Sequence, residues 1–249
     1  MTTGTGTRIA VVTGGGRGIG QAICQGLARR GMDVVAVDLV DPIETVALVE
    51  GEGRKALGVT GDVSDPDDVA RIGAEVTAGM GGCHVLVNNA GIYPAKNIFK
   101  LEYEAWRRVL AVNLDSQFLM TKAVLHHMCE ARWGRIVNLT SNSVGLALPG
   151  FTHYMASKMG VIGFTRALAS DVASYGITVN AVGPTLSRTP GLAESPMAGA
   201  AQEHVAAMQA IKRPGEAQDV VGTVAFLASD DAAFVTGQTI MADGGLVRL

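Results

Sequence analysis

The sequence predicts an α/β fold, a doubly wound parallel sheet of seven strands with helices on both faces. Short apolar runs alternate with longer amphipathic stretches along nearly the whole chain, which is the pattern of repeated strand and helix units. Hydrophobic residues make up 48% of the 249 residues, which is ample apolar material for a buried sheet. The 32 glycines indicate many tight turns. We therefore expect a single domain over residues 1–249.

The individual elements follow from these runs in chain order. Strands are predicted at Arg8–Val12, Val34–Val37, Ala56–Thr60, Val85–Val87, Ile136–Leu139, Ile177–Val182 and Thr239–Met241. Helices are predicted near Gly18–Arg30, Pro42–Glu52, Pro66–Gly79, Glu102–Arg132, His153–Tyr175 and Gln218–Ala228. Residues 185–213 scatter a few apolar side chains among Ala, Gly and Pro, and this loop-rich segment is predicted to be either a substrate lid or a plain variable loop.

The charge and cysteine content excludes several classes of protein. With 20 Lys and Arg against 23 Asp and Glu, the net charge is −3 and the basic residues do not cluster, so no nucleic-acid partner is expected. No apolar run approaches the roughly 18 residues that cross a bilayer, and no secretory signal is visible. The three cysteines and five histidines show no metal-ligand spacing. We predict reduced thiols, no metal, no membrane contact and a cytoplasmic location.

A glycine-rich turn between the first strand and the first helix predicts a dinucleotide site. The turn reads Thr13-Gly-Gly-Gly-Arg-Gly-Ile-Gly20, with G-x-x-x-G-x-G spacing. Glycines let the backbone approach a pyrophosphate, and the start of the helix presents unpaired N–H groups to it. The turn residues predicted to hold the dinucleotide are Gly14, Arg17, Gly18, Ile19 and Gly20.

Acidic residues after the second and third strands extend this site. Asp38 lies about 20 residues after the glycine turn, where a carboxylate accepts from ribose hydroxyls and repels a 2′-phosphate. It favours NAD over NADP, although Arg17 is a group that could reach a phosphate. Asp62 and Val63 follow the third strand. Asp62 either meets the adenine amino group or caps the next helix, for which Ser64 and Asp65 are equally suited.

The glycine pattern, Asn88-Asn-Ala-Gly91 and Tyr154-x-x-x-Lys158 together resemble the short-chain dehydrogenase/reductase family. Further matches are Val112-Asn-Leu-Asp115, Ile136-Val-Asn-Leu-Thr-Ser141 and Asp243-Gly-Gly245, so the resemblance covers essentially the whole chain. It implies a Rossmann-type fold, an oxidoreductase that uses NAD or, as the less favoured cofactor, NADP, and a homotetramer.

Tyr154 and Lys158 are predicted to handle the proton of the reaction. They lie four residues apart and share one face of a helix. Bringing a tyrosine pKa from about 10 to about 7 requires about 4 kcal/mol of preferential phenolate stabilisation, and one ammonium about 4 Å away supplies a similar amount at an effective dielectric near 20. We therefore expect Lys158 to lower the pKa of Tyr154, the general acid or base. Ser141 is expected to donate to the same substrate oxygen, with Ser143 as its alternative and otherwise a pocket residue.

The resemblance also assigns roles around the nicotinamide. Asn113 would bond backbone groups and a water that links Lys158 to solvent, the alternative being a surface amide. The cofactor-side wall would be Asn89, Ala90 and Gly91. The nicotinamide carboxamide would be held by Pro184 and Thr189, although Thr185 stands where the family most often has glycine.

The substrate is harder to read. Stretches such as Asn89-Ala-Gly-Ile-Tyr-Pro94 and Phe226-Leu-Ala-Ser-Asp-Asp231 resemble family members that act on aryl alkyl alcohols and ketones. Tyr93 would then stack on an aromatic substrate, or else lie in a surface loop. We expect NAD-dependent interconversion of a secondary alcohol and its ketone, with apolar groups preferred.

Two alternatives stay open. The first is a 3-oxoacyl-thioester reductase that uses NADPH, whose acidic acyl-carrier partner needs a basic docking patch. The long helix before the fifth strand ends instead with Cys129 and Glu130, and only Arg132 and Arg135 follow. The second is a dinucleotide-sensing protein without turnover, which has no need of a proton-transfer pair.

Overall fold

The centre of the fold is a parallel sheet. The computed structural model describes residues 6–190 and 198–248, and seven strands of this part pair side by side. They are β1 (Ile9–Thr13), β2 (Asp33–Asp38), β3 (Ala56–Thr60), β4 (Val85–Asn88), β5 (Gly134–Leu139), β6 (Ile177–Pro184) and β9 (Thr239–Ala242). Their order in the sheet is β3-β2-β1-β4-β5-β6-β9. Two short strands, β7 (Ser187–Arg188) and β8 (Gly215–Glu216), pair separately. The prediction of a seven-stranded, doubly wound parallel sheet is confirmed.

Helices cover both faces of this sheet. They are α1 (Gly18–Ala28), α2 (Ile43–Gly51), α3 (Pro66–Met80), α4 (Tyr103–Leu110), α5 (Ser116–Ala131), α6 (Thr152–Val172), α7 (Ala198–Met208) and α8 (Gln218–Leu227). Apolar residues of α1 and α8 form one core with the sheet, and those of α3, α5 and α6 form the other. Each core is built from strand residues that point to its own side.

Strand β1 illustrates how alternation builds the two cores. Ala10 and Val12 face the core shared with α1, whereas Ile9 and Val11 face the opposite core. Successive side chains of a strand point to opposite faces, and both faces here are covered, so the run is apolar throughout. Burying a Val or Ile side chain stabilises the fold by about 1.5–3 kcal/mol.

The strand order places a crevice at the carboxyl ends of the central strands β1 and β4. β1 pairs with β2 on one side and with β4 on the other. The connections therefore leave β1 and β4 in opposite directions, and ligands of such sheets bind where this reversal occurs, beyond the carboxyl ends of the strands. The glycine turn follows β1 at this end of the strands, and Asn89 directly follows β4.

Helices α1 and α3 begin in different ways. Asp65 caps α3, because its carboxylate accepts from the N–H groups of Asp67 and Asp68 at 2.9 and 3.1 Å. At the start of α1, the side chain of the N-cap residue Arg17 makes no capping hydrogen bond. The first turn of α1 is thus suited to an anion that supplies the missing acceptor.

Two predicted elements differ from the structure. The single helix expected over 102–132 contains a π-helical turn at Ala111–Asp115, between α4 and α5. The loop-rich reading of residues 185–213 is wrong for residues 198–208, which form α7, because alanine sustains a helix even where the apolar spacing is weak. Residues 191–197 of that predicted lid lie outside the described residues.

Two further observations concern the chain as a whole. Within 6–190 and 198–248, no helix combines the length and the apolar character that crossing a bilayer requires. Cys24, Cys83 and Cys129 are free thiols, and the first two are buried.

Candidate active site

A cavity of about 730 Å³ opens at the carboxyl ends of the central strands. Nearly every site residue predicted from the sequence lines it. They are Gly14, Arg17, Gly18, Ile19, Gly20, Asp38, Asp62, Val63, Asn89, Ala90, Gly91, Tyr93, Ser141, Ser143, Tyr154, Lys158, Pro184 and Thr189. Asn113 is fully buried behind its wall. The structure therefore brings the predicted dinucleotide and proton-transfer residues into one space.

The glycine turn forms a tight cradle at one side of this cavity. Gly14 has φ +62°, and a Cβ there would lie 2.9 Å from Asn89 Nδ2 and 3.0 Å from Ala90 Cα. A Cβ on Gly20 would overlap the carbonyl oxygen of Gly14. The Asn89 amide donates to the carbonyls of Thr13 and Gly14 at 2.9 and 3.0 Å, so it braces the turn from β4. The backbone is left close to the cavity, as a bound pyrophosphate requires.

Asp38 lies beside this cradle, at the end of β2. Its Oδ2 accepts from the Gly16 N–H and its Oδ1 from the Leu39 N–H, both at 2.8 Å. These bonds fix the carboxylate and leave acceptor capacity on both oxygens. Two neighbouring hydroxyls of a ribose fit such a group, whereas a phosphate would meet a fixed negative charge.

Asp62 faces the same cavity and is not a helix cap, since Asp65 fills that place. Its Oδ1 accepts from the N–H and the hydroxyl of Ser64 at 2.9 and 2.6 Å. Its Oδ2 accepts from Arg108 at 3.2 Å. Of the two roles left open by the sequence, the capping role is thus excluded by the structure.

The proton-transfer residues converge at the other end of the cavity. The Lys158 ammonium lies 5.9 Å from the centroid of the Tyr154 ring and donates to the Leu139 carbonyl at 2.8 Å. The Ser141 hydroxyl is close enough to the Tyr154 hydroxyl to lower the pKa of the phenol. Ser141 Oγ also accepts from the Ser143 N–H at 3.2 Å. A substrate oxygen placed between the Ser141 and Tyr154 hydroxyls would meet two donors.

The pKa of Tyr154 is raised in the structure, contrary to the expectation that Lys158 lowers it. Although part of the ring faces the cavity, burial raises the pKa of Tyr154 above its usual value, the Ser141 hydrogen bond lowers it less, and Tyr93 raises it further. Burial also lowers the pKa of Lys158 to about 8. Burial penalises both charged forms, and this outweighs an ammonium at 5.9 Å. In the chain alone, the phenol is therefore a proton donor.

Asn113 occupies the π-helical turn and is part of the support of the site. Its Oδ1 accepts from the Ile92 N–H at 2.8 Å, and its Nδ2 donates to the Ile92 carbonyl at 2.9 Å and to Ser157 Oγ at 3.1 Å. A Cβ on Gly91 would lie 3.3 Å from Asn113 Oδ1 and 3.5 Å from Lys158 Nζ. The surface-amide alternative is thus wrong, because Asn113 is fully buried and its amide is bonded on both sides.

The segment after β6 lies against the glycine turn. A Cβ on Gly18 would be 3.3 Å from Thr189 Cβ. Thr185, which replaces the family's usual glycine, is buried, and its hydroxyl donates to Gln209 Oε1 at 2.8 Å. Gln209 in turn donates to the carbonyls of Ile211 and Arg213 at 3.0 and 2.8 Å. The departure from the family pattern therefore connects the end of β6 to the residue that follows α7.

Apolar side chains form the wall beyond Tyr154. They include Leu146, Leu148, Phe151, Leu186, Val205, Met208 and Leu246. Tyr93 also lines this end and is 46% exposed. Ser143 Oγ is buried and has no hydrogen-bond partner in the described part of the chain. A group with a large apolar surface and few polar atoms matches this end of the cavity.

Arg108 and most of this apolar wall are not among the site residues predicted from the sequence. Arg108 and Val112 both line the cavity and lie four residues apart, one helical turn, just before Asn113. Arg108 lies five residues before Asn113, which is not the three- or four-residue spacing of one helix face, so no local signal indicated it. The wall residues carry no local motif, because they meet only through folding. No group of His, Cys, Asp and Glu within 6–190 and 198–248 is suited to hold a metal ion.

Comparisons with known proteins agree with this geometry. Residues 14–247 match a family model described as enoyl-(acyl carrier protein) reductase. The chain is 40% identical to nodulation protein G of Azospirillum brasilense over 96% of this chain and 98% of that protein. It is 38% identical to a 3-oxoacyl-(acyl-carrier-protein) reductase of Pseudomonas aeruginosa over 96% of this chain and 97% of that protein. The crystal structure of levodione reductase superposes with a TM-score of 0.89 at 31% identity, covering 95% of this chain and 96% of that chain.

Proposed function

The chain belongs to the short-chain dehydrogenase/reductase family, and we propose that it is an NAD-dependent enzyme that interconverts a secondary alcohol and its ketone. The substrate class in this proposal is aryl alkyl or other apolar ketones. The observation that carries it is one continuous cavity with a carboxylate suited to a ribose at one end and a phenol beside an apolar wall at the other. The sequence resemblance to phenylethanol dehydrogenase, given by stretches such as Asn89-Ala-Gly-Ile-Tyr-Pro94, supports the same substrate class.

The residues of the chain divide the work of reduction among them. A reduced nicotinamide, held by the glycine turn, would supply the hydride for the carbonyl carbon. Tyr154 would give its proton to the carbonyl oxygen as a hydroxyl forms. Ser141 donates a second hydrogen bond to that oxygen. Lys158, with a pKa of about 8, is mostly protonated at pH 7 and stabilises negative charge that develops on the phenol oxygen. Oxidation of the alcohol uses the same groups in reverse.

Asp38 supports NAD over NADP. Its carboxylate is held by two backbone N–H groups and faces the cavity, so it does not move aside without losing both bonds. A 2′-phosphate would bring a second negative charge to this position. Arg17 also lines the cavity, and the test below therefore compares both dinucleotides directly.

A reductase of 3-oxoacyl thioesters that uses NADPH is the second candidate, because the relative from Pseudomonas aeruginosa is named for that activity. The basic docking patch is weak here. The Arg135 guanidinium is buried and donates to the carbonyls of Ser229 and Gly134 at 2.9 and 2.8 Å. Arg132 lies 5.7 Å above the Tyr175 ring and has Glu130 close by in the chain. One exposed arginine provides little attraction for an acidic carrier.

A dinucleotide-sensing protein without turnover is the candidate of another class. Such a protein needs the cradle and Asp38 but no proton donor. The Ser141 and Tyr154 hydroxyls beside each other, together with the buried Lys158, support an enzyme instead. Placing an ionisable lysine in a buried position costs free energy, and such groups cluster at catalytic sites.

A panel of substrates tests the proposal. Initial rates are measured with NADH and with NADPH, each against acetophenone and against a 3-oxoacyl thioester. The proposal expects the highest kcat/KM for NADH with acetophenone. It also expects Asp38→Ala to move the preference toward NADPH by about tenfold or more. Highest activity on the thioester with NADPH would establish the second candidate, and binding without any turnover would establish the sensor.

Three further points belong to the same proposal. The homotetramer implied by the family stays a prediction, testable by light scattering. The three free thiols fit a reducing compartment such as the cytoplasm. The segment 185–213 is proposed as the substrate lid, since Leu186, Val205 and Met208 line the apolar end of the cavity.

A further inference from the structure

The residue that follows β6 is hydrogen-bonded to the residue that follows α7. Thr185 Oγ1 donates to Gln209 Oε1 at 2.8 Å, and both side chains are buried. β6 ends at Pro184 and α7 ends at Met208. The bond therefore joins a strand of the central sheet to the end of a helix that lines the cavity.

The Gln209 amide is enclosed, and its other hydrogen bonds are already made. Its Nε2 donates both hydrogens, to the carbonyls of Ile211 and Arg213 at 3.0 and 2.8 Å. A Cβ on Gly244 would lie 3.0 Å from the same nitrogen, so the turn after β9 closes the space beside it. Removal of the Thr185 hydroxyl would leave the Gln209 oxygen buried without its donor, which is costly.

Thr185 is fixed to the sheet from its own side. A Cβ on Gly215 would overlap Thr185 Cγ2, so the methyl group packs directly on β8. The Thr185 carbonyl accepts from Ser187 Oγ at 3.2 Å, and Ser187 pairs with Gly215 between β7 and β8. Pro184, just before Thr185, pairs with Ala242 of β9. The hydroxyl of Thr185 is therefore a fixed point against which α7 is held.

Helix α7 turns one of its faces toward the cavity. The residues of this face are three or four positions apart, and they are Ala201, His204, Val205 and Met208. Met208 is 47% exposed and directly precedes Gln209, which is 2% exposed. Because a helix is rigid over one or two turns, an anchor at Gln209 determines how far Val205 and Met208 reach into the cavity.

We infer that Thr185 is a positioning residue whose hydroxyl fixes the end of α7, so that Val205 and Met208 limit the size of the ketone that the apolar end of the cavity accepts. This inference rests on the proposed ketone reduction and deepens it, since it makes smaller aryl ketones the preferred substrates. Glycine, the family's usual residue at this position, has no side chain for the bond, so the restriction is not a general property of the fold.

Size selectivity distinguishes a fixed wall from a movable one. An apolar pocket with a movable wall favours the larger of two ketones, because the larger one buries more apolar surface. A fixed wall disfavours the larger ketone, because a packed site does not take extra atoms without strain. The wild-type protein should therefore prefer the smaller ketone, and a protein without the Thr185 bond should prefer it less.

The first test compares reduction of acetophenone and of 2-acetonaphthone, which has one more fused ring on the same methyl ketone. With NADH, the wild-type kcat/KM is expected to be at least about tenfold higher for acetophenone. Thr185→Val keeps the shape of the side chain without its hydroxyl and should reduce this ratio to below about threefold. The KM values should account for the change, while kcat for acetophenone stays within about twofold, because Tyr154 and Ser141 are untouched. Thr185→Ser retains the hydroxyl and should retain the wild-type ratio.

The second test measures the anchor itself, without substrate or cofactor. Hydrogen exchange of the α7 amides is followed by mass spectrometry, and it should be about tenfold faster in Thr185→Val, since opening of the helix no longer breaks the bond. Thr178→Val is the matched control. Thr178 lies on the same strand and is buried, and its hydroxyl has no partner in the described part of the chain. This control should change neither the exchange of α7 nor the ketone ratio.

The outcomes separate this inference from the proposed function. An unchanged ketone ratio or unchanged α7 exchange in Thr185→Val would overturn the inference while the proposed function stands. A lower kcat at unchanged KM in that variant would overturn it too, because Thr185 would then act in the chemical step. A wild-type protein that reduces neither ketone would overturn the proposed function and the size selectivity with it, and α7 exchange would still decide whether Thr185 fixes the helix.

Discussion

The central strands carry polar side chains at both of their ends, but the two sets are arranged differently. At the amino ends of β1, β4 and β5, Arg8, Trp133 and Arg135 contact Asp230, and His84 lies beside the Trp133 ring. We call this group the amino-end stack. Arg8 and Arg135 lie over the Trp133 ring, 3.8 and 4.3 Å from its centroid. Asp230 accepts from Arg8 at 2.8 Å and from Trp133 Nε1 at 3.0 Å. The charged groups of this stack thus bind mainly to one another and to the Trp133 ring.

At the carboxyl ends of the same strands, the polar groups line an open cavity. Tyr154, Lys158 and Ser141 point into a space of about 730 Å³, and Ser143 Oγ lacks a partner in the described part of the chain. Burial shifts the pKa values of Tyr154 and Lys158 toward their neutral forms. These groups can still form hydrogen bonds to a ligand, and their shifted pKa values suit them to exchange protons with it.

The difference separates stability from chemistry within one sheet. Polar groups that satisfy one another fix the chain, as in the amino-end stack. Polar groups that remain incompletely satisfied around a cavity are suited to bind and react. Substitutions at the two ends should therefore affect different measurable quantities, and three predictions test that separation.

The largest effect on activity is expected from a substitution at the carboxyl ends of the central strands. Tyr154→Phe removes the proton donor and should lower kcat for ketone reduction by about 10³-fold. Its free energy of unfolding in urea should stay within about 1 kcal/mol of the wild type, since one hydrogen bond is lost. Tyr175→Phe is the matched control, because Tyr175 is 41% exposed and outside the cavity. Equal activity of Tyr154→Phe and Tyr175→Phe would break the comparison.

The next largest effect, a loss of stability, is expected from a substitution in the amino-end stack. Trp133→Ala removes the ring that both guanidinium groups contact and should lower the free energy of unfolding by about 2–3 kcal/mol. Trp133→Phe keeps a ring for both arginines and should lose less. The kcat/KM of folded Trp133→Ala at 25 °C should match the wild type. A loss of activity without a loss of stability would show that the two ends are not independent.

The smallest effect concerns pH and His84. Burial lowers the pKa of His84, as do the charges of Arg8 and His127, and its Nδ1 accepts from the Ile9 N–H at 3.2 Å. The unfolded chain takes up this proton near pH 6.5 while the folded chain resists it, so His84 stabilises the fold above that pH and loses this contribution as pH falls. His84→Asn keeps an acceptor that does not titrate.

The comparison of wild type with His84→Asn isolates this contribution. Urea denaturation at pH 7.5 and at pH 5.5 should show that the wild type loses more stability than His84→Asn on acidification. The difference should be smaller than the effect of Trp133→Ala. Parallel losses in both proteins would assign the pH dependence to other groups.

Features that depend on a short stretch of chain were predictable from the sequence, and features that depend on contacts between distant residues were not. The glycine turn, Asp38 and the Tyr154-x-x-x-Lys158 spacing were readable because each is fixed by a short stretch of chain. The seven strands were readable because their apolar runs are continuous. Their ends moved by only one or two residues in the structure. Local pattern thus predicted the sheet and the floor of the site.

Contacts between distant residues were not readable. Arg8 and Asp230 are 222 positions apart, and Arg108 and Asp62 are 46 apart, so no spacing rule joins them. The bond of Thr185 to Gln209 is of the same kind. The raised pKa of Tyr154 depends on burial by the whole fold, which a count of neighbouring charges along one helix does not include. Tertiary packing decides these features.

Transfer of deuterium from NADH deuterated at both C4 positions to acetophenone is the most direct measurement. The product alcohol is analysed by mass spectrometry after incubation with the wild-type protein and with Tyr154→Phe. The account predicts one deuterium on the carbinol carbon with the wild type, and a rate about 10³-fold lower with Tyr154→Phe. An alcohol without deuterium, or no alcohol from a wild-type protein that binds NADH, would contradict it.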